Sequence, residues 1–159
     1  MKLKAKSERQ EKSVAKQFKA HTVVASGALW GAKGDVRNDK YLIECKTTDK
    51  GFYSLSAKVW EKIEYEAIQD HLRIPLMVID IQGERFVVFK PLDFGVTPNE
   101  KYFIGHLKST RIYSCELNKE GSFKYKGCPV RAISICGEKT NMLYCMKQKD
   151  FAEYFEEVK

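Results

Sequence analysis

Several absences narrow the chemistry of this sequence before any residue is singled out. Its five cysteines, Cys45, Cys115, Cys128, Cys136 and Cys145, are odd in number and form no Cys-x-x-Cys pair. That argues against a disulfide framework and against a zinc knuckle. Each lies in or near an apolar run, so buried free thiols are expected. The three histidines, His21, His71 and His106, share no metal-ligand spacing. There is no glycine-rich phosphate loop and no His-Glu-x-x-His. No apolar run approaches the roughly 20 residues of a membrane span. The segment Met1–Lys6 lacks the apolar stretch of a secretory signal, so a cytoplasmic protein is expected. Neither an internal repeat nor a low-complexity linker is visible.

What is present is a basic chain with an uneven charge. It carries 28 Lys+Arg and 21 Asp+Glu over 159 residues, a net charge of +7. Residues 1–62 hold 14 basic and 7 acidic residues, and residues 63–159 hold 14 of each. The whole excess lies in the first part, which is the electrostatic footprint of a polyanion partner. The length suits one domain with a sizeable core.

The same first part holds the most informative motif. Tyr41-Leu42-Ile43-Glu44-Cys45-Lys46 reads as a strand with alternating faces. Glu44 and Lys46 then project to one side, about 7 Å apart by two steps of strand rise. Asp35 lies nine residues before Glu44, and Arg37-Asn38-Asp39-Lys40 is a polar turn between them. A hairpin there sets Asp35 beside Glu44. Neighbouring carboxylates repel, and a divalent cation relieves that cost. Hard oxygen ligands at this density suit Mg²⁺, with Mn²⁺ as a substitute. A lysine beside the ion can orient or deprotonate the attacking water, or stabilise charge on a phosphate. The implied chemistry is metal-assisted hydrolysis of a phosphodiester, and no organic cofactor is called for. Lys33, Arg37, Lys40, Lys58 and Lys62 are the candidate phosphate contacts, and His21 is a further candidate for DNA contact.

The remaining elements are expected as follows. Residues 6–19 form a helix with Glu11, Val14, Ala15 and Phe18 on one face. Residues 21–34 are a short strand and a glycine-containing loop. Ser54 or Ser56 caps a helix running to about His71. Residues 74–81 are a buried strand, and 85–89 are its hairpin partner. Residues 91–99 are loop. Short strands are expected at 102–104 and 111–117, a hairpin at 130–136 and 142–146, and a short helix at 151–158. The aromatics Tyr102, Phe103, Tyr113, Phe123 and Tyr125 read as core and edge-strand residues.

With Glu11 on the first helix, Ser26-Gly27-Ala28, Gly34-Asp35 and Glu44-Cys45-Lys46-Thr47-Thr48 in this order, the chain resembles the PD-(D/E)XK nuclease superfamily. Within it, the chain resembles archaeal- and phage-type Holliday junction resolvases. The resemblance covers about residues 8–90, and Gly34 stands where the superfamily's name has proline. It implies an α/β fold with a restriction-endonuclease-like core and a central mixed β-sheet flanked by helices. Residues 1–159 are then one nuclease domain, with a core at 6–90 and a β-rich C-terminal extension at 91–159. It further implies a metal site of Glu11, Asp35, Glu44 and the backbone carbonyl of Cys45. Lys46 is its catalytic cation, and Ser26 lies near the scissile phosphate. Glu11 is in phase with Val14, Ala15 and Phe18, and Glu8 one turn earlier is its alternative. The expected activity is a Mg²⁺-dependent DNA endonuclease acting on branched DNA as a homodimer, in a bacterial or phage-infected cell. Endonucleases acting on duplex or single-stranded DNA, and a non-catalytic DNA-binding or assembly module, stand as alternatives.

Overall fold

A computed structural model of the protein describes residues 3–23, 34–103, 105, 107–113 and 121–156. The chain opens with helix α1 (Leu3–Gln17), and strands β1 (His21–Thr22), β2 (Val36–Arg37) and β3 (Tyr41–Thr48) follow. Next come β4 (Phe52–Ser56), helix α2 (Ala57–Gln69), and the hairpin of β5 (Ile74–Ile81) and β6 (Glu84–Phe89). The last third holds β7 (Ser109–Tyr113), β8 (Ser122–Tyr125), β9 (Cys128–Cys136) and β10 (Thr140–Lys147). Helix α3 (Gln148–Phe151) runs on into a wider turn at Ala152–Glu156.

Eight strands form one mixed sheet in the order β1-β2-β3-β5-β6-β10-β9-β8. The parallel pair is β3 with β5, joined through β4 and α2. The fold is thus α/β with a central mixed sheet and helices on it. Strands of the last third complete that sheet, since β10 pairs with β6. Among the described residues, no helix is long and apolar enough to cross a membrane.

The sheet is buried on both faces, so its central strands read as near-continuous apolar runs. On one face Tyr41, Ile43, Cys45, Leu76 and Val78 pack against Val14, Ala15 and Phe18 of α1. On the other, Met77, Ile79 and Ile81 pack with Trp60 and Ile63 of α2. Helix α2 starts where Ser56, with extended backbone, accepts the Val59 N–H at 3.1 Å. A cap of this kind is worth about 1 kcal/mol. The buried Glu64 of α2 is paired with Lys90 and Lys139. Burial pushes its carboxyl up, but hydrogen bonds and charge from the two lysines outweigh burial and hold it below the ordinary range.

Some expectations are corrected. Of the two cap candidates before the second helix, Ser56 is the cap and Ser54 is not, because Phe52–Ser56 is a strand whose partner β7 lies far along the chain. Where the strand expected at 102–104 would start there is a 3₁₀ turn at Glu100–Tyr102, capped by the Asn99 side chain, and residue 104 lies outside the described residues. A second 3₁₀ turn, Pro91–Phe94, starts the segment read as loop. Cys45 and Cys145 are buried thiols, whereas Cys128 and Cys136 are only half-buried. Cys115 lies outside the described residues.

Candidate active site

Strand β3 carries the site along one of its edges. Strand β2 pairs with it at Val36–Ile43 and Arg37–Leu42, a register that sets Asp35 opposite Glu44. The Asp35 N–H donates to the Ile43 carbonyl at 3.0 Å, and its Oδ2 accepts the Cys45 N–H at 2.8 Å. The backbone N–H and C=O of a strand residue leave on the same side. The Cys45 carbonyl therefore points to the edge where Asp35 stands.

Cys45 belongs to the core beneath α1, so Glu44 and Lys46 project from the opposite face. Lys46 Nζ lies 3.1 Å from Glu44 Oε1. Glu11 approaches from α1, on the other side of the strand. Asp35 sits at the edge between them. Leu3, Lys4, Ser7, Glu11, Asp35, Glu44, Cys45, Lys46 and Thr47 line one cleft of about 390 Å³.

The electrostatics follow this layout. Burial, and then the Asp35 charge, push the Glu44 carboxyl above its ordinary value despite Lys46. Burial and Asp35 do the same to Glu11, against a 3.4 Å hydrogen bond donated by Ser7. Asp35 is the charge common to both. The Cys45 thiol is pushed well up by burial and by Asp35, Glu11 and Glu44, so it is no nucleophile. Burial works against the Lys46 ammonium, but the charge and hydrogen bond of Glu44 win and raise it. In this state Lys46 is a cation rather than a base.

Among the described residues, no three His, Cys, Asp or Glu side chains converge closely enough to hold a metal ion as they stand. The strand separates Glu11 from Glu44, and Lys46 occupies one oxygen of Glu44. The donor set nonetheless suits a hard divalent cation. It offers two carboxyls, Glu11 and Glu44, whose ionisation is opposed by burial and by the Asp35 charge, beside a backbone carbonyl.

Two residues of the site escaped sequence reasoning. Gln10 is fully buried, and its side-chain amide donates to the carbonyls of Lys46 at 3.0 Å and Val78 at 3.1 Å. It pins α1 across the β3–β5 junction and so sets where Glu11 stands. Its signal was a polar residue at helical spacing from Val14. Tyr53 of β4 is half-buried, its phenol raised first by burial, with the Lys46 charge acting to lower it and the Glu44 charge to raise it. Finding it required β4.

The candidate phosphate contacts do not all gather here. Arg37 is paired with Asp70 at 3.2 Å, near the far end of β3. Lys40 lies over the ring of Tyr41 at 5.0 Å, also at that end. Lys58 and Lys62 are exposed on α2, Lys62 within 3.8 Å of Glu66. Glu8 is exposed and contributes its charge to Glu11, and His21 is exposed on β1. Ser26 and Lys33 lie outside the described residues.

No family model matches the chain, and no curated protein matches it. Among solved structures, it is similar to that of Archaeoglobus fulgidus Hjc, described as a Holliday junction resolvase from an archaeal hyperthermophile. The two are 14% identical, with a TM-score of 0.44, over 70% of this chain and 88% of that one. A likeness this distant carries no argument about activity.

Proposed function

We propose that this protein is a divalent-metal-dependent DNA endonuclease with branched DNA as its substrate. The observation that supports the reading best is the position of Asp35. It stands at the strand edge between Glu11 and Glu44, in one cleft with the Lys46 ammonium. Asp35, Glu44, Glu11 and the Cys45 carbonyl are the residues that would hold Mg²⁺ or Mn²⁺. When bound, such an ion supplies Lewis acidity toward a phosphoryl oxygen and lowers the pKa of the attacking water. Lys46 stabilises charge that builds on the phosphate as a water oxygen attacks phosphorus and the bond to the leaving sugar oxygen breaks. Ser26, which precedes the hairpin in sequence and lies outside the described residues, is proposed to lie near the scissile phosphate. Lys33, Lys58 and Lys62 are proposed to contact phosphates.

The active unit is a homodimer in this reading, because resolving a four-way junction takes two cuts and one chain has one site. Two apolar surfaces that could serve that contact are already engaged within the chain. Strands β9 and β10 are paired inside the sheet, and the apolar face of α1 is spent against β3.

The deciding experiment compares cleavage of a four-way junction, a fork, a duplex and a single strand in Mg²⁺ and in EDTA. Cutting of the junction in Mg²⁺, lost in EDTA and lost in Asp35→Asn, supports the reading. Undiminished cutting by Asp35→Asn overturns the site. A preference for plain duplex replaces the branched substrate with a general endonuclease.

A further inference from the structure

Strands β4 and β7 form a two-stranded ribbon separate from the main sheet. Its inner face is anchored by Leu55 and Ile112, both fully buried. By the alternation of strand side chains, its other face carries Phe52, Ser54 and Ser56, with Ser109, Arg111 and Tyr113 opposite them. There Phe52 and Tyr113 meet with ring centroids 5.7 Å apart. The Arg111 guanidinium lies 4.4 Å from the Phe52 centroid. Arg131 of β9 holds the ribbon from behind, donating to the Arg111 carbonyl and, at 2.8 Å, to Thr110 Oγ1.

A cross-strand aromatic pair alone is a common ribbon stabiliser. Three further observations point to a ligand. Two rings and a guanidinium plane are gathered on one outward face, which is the composition that stacks unpaired bases. Only Asp49, Lys50 and Gly51 separate β4 from β3, the strand that carries the candidate active site. At its other end the ribbon runs into an open cleft of about 1020 Å³ lined by Ser56, Ser109 and the lysines Lys58, Lys62 and Lys108. The acid of that cleft nearest the helix start, Glu61, is engaged by the backbone N–H groups of Glu138 and Lys139 at 3.1 and 3.3 Å. Glu138 is the other acid there.

We infer that the β4–β7 ribbon is a binding track for an unpaired DNA strand, with a base stacked on Phe52, Tyr113 and Arg111 and the backbone led onward to Lys58 and Lys108. This rests on the nuclease reading for the identity of the polyanion and deepens it: the substrate is DNA with unpaired nucleotides beside the cut.

The test uses the full chain in EDTA, so that binding is read without cleavage. Affinity for an oligo-dT strand and for a duplex of equal length is measured by fluorescence anisotropy for wild type, Phe52→Ala, Phe52→Trp and Arg111→Ala. Phe52→Ala and Arg111→Ala should each weaken the single strand by about tenfold, the scale of one lost base stack, and the duplex by less than about twofold. Phe52→Trp, which keeps the ring, should bind the single strand as wild type does, and so separates stacking from ribbon damage. Unchanged single-strand affinity in Phe52→Ala, or an equal loss on both DNAs, overturns the track. Fork cleavage in Mg²⁺ by the same proteins separates the two proposals. Ring-dependent strand binding without any cleavage overturns the nuclease reading and leaves the track. Cleavage with no dependence on the ring overturns the track alone.

Discussion

The Oδ2 atom of Asp35 accepts the backbone N–H of Cys45 at 2.8 Å, which ties the carboxylate to the strand that carries Glu44 and Lys46. The bond makes Asp35 both a charge and a structural acceptor. These two roles separate on substitution. Asp35→Asn keeps an acceptor oxygen and removes the charge that opposes ionisation of Glu11 and Glu44. Asp35→Ala leaves the Cys45 N–H without its partner, at a cost of about 1–3 kcal/mol if water does not replace it. In EDTA, the melting temperature of Asp35→Asn should equal or exceed wild type, and that of Asp35→Ala should fall below it. The reverse order would show that the hydrogen bond contributes nothing.

The raised carboxyls of Glu11 and Glu44 predict a pH dependence of the metal-free protein. A carboxyl whose folded pKa lies above its unfolded value destabilises the fold when ionised. That penalty is present in full above the folded pKa and is relieved as pH falls through it toward 4.5, the ordinary value. Glu44→Gln should therefore melt higher than wild type at pH 7 in EDTA, and the advantage should shrink on acidification. For a domain of this size, 1 kcal/mol corresponds to about 2–4 °C. Thermal melts of both proteins between pH 7 and pH 4.5 read the difference directly. An advantage that grows as pH falls would contradict the assigned direction.

Gly34 fixes the entry to the site. Its φ is +68°, and an added Cβ would lie 2.7 Å from Leu42 Cδ1. Gly34→Ala meets both the left-handed backbone penalty, about 1–2 kcal/mol, and a contact with a buried side chain. Urea unfolding should show a loss of at least about 1 kcal/mol. The proposed cleavage activity, at a temperature where the variant is folded, should also fall, because Asp35 is the next residue. Wild-type stability in Gly34→Ala would show that the turn adjusts without strain.

In the proposed mechanism Lys46 serves turnover and not the binding of metal. Its ammonium neutralises Glu44 at 3.1 Å, so Lys46→Met leaves the carboxylates with more uncompensated charge. Mn²⁺ affinity by calorimetry should hold or tighten. Cleavage should fall by about 100-fold or more, as loss of a positioned charge donor does. A Lys46→Met protein that loses Mn²⁺ binding and cleavage together would make Lys46 a structural residue.

The hairpin, the faces of β3 and the grouping of Asp35, Glu44 and Lys46 were legible because each rests on contacts within a dozen residues. Period-two alternation alone sets Glu44 beside Lys46, and a polar four-residue turn alone sets Asp35 opposite Glu44. Strand β4 was not legible. Phe52 pairs with Tyr113, and Ser56 with Ser109, across more than half of the remaining chain. A short segment rich in serine carries no local sign of such a partner. The same holds for Arg37, whose guanidinium looks free in sequence and is taken by Asp70 in space. Gln10 looks like one more polar residue of a charged helix, until the sheet presents two carbonyls to it.

The sequence by itself determined the α/β character, the basic first part and the identity of the acid–acid–lysine cluster, since local periodicity and turn chemistry act between near neighbours. Only the tertiary structure decided that Glu11 and Glu44 stand on opposite sides of one strand with Asp35 between them. It alone brought Tyr53 to Lys46 and set Phe52, Arg111 and Tyr113 on one outward face. Those relations depend on helix-to-sheet packing and on strand pairing between distant segments, where burial of apolar surface chooses the partner and no short-range pattern records the choice.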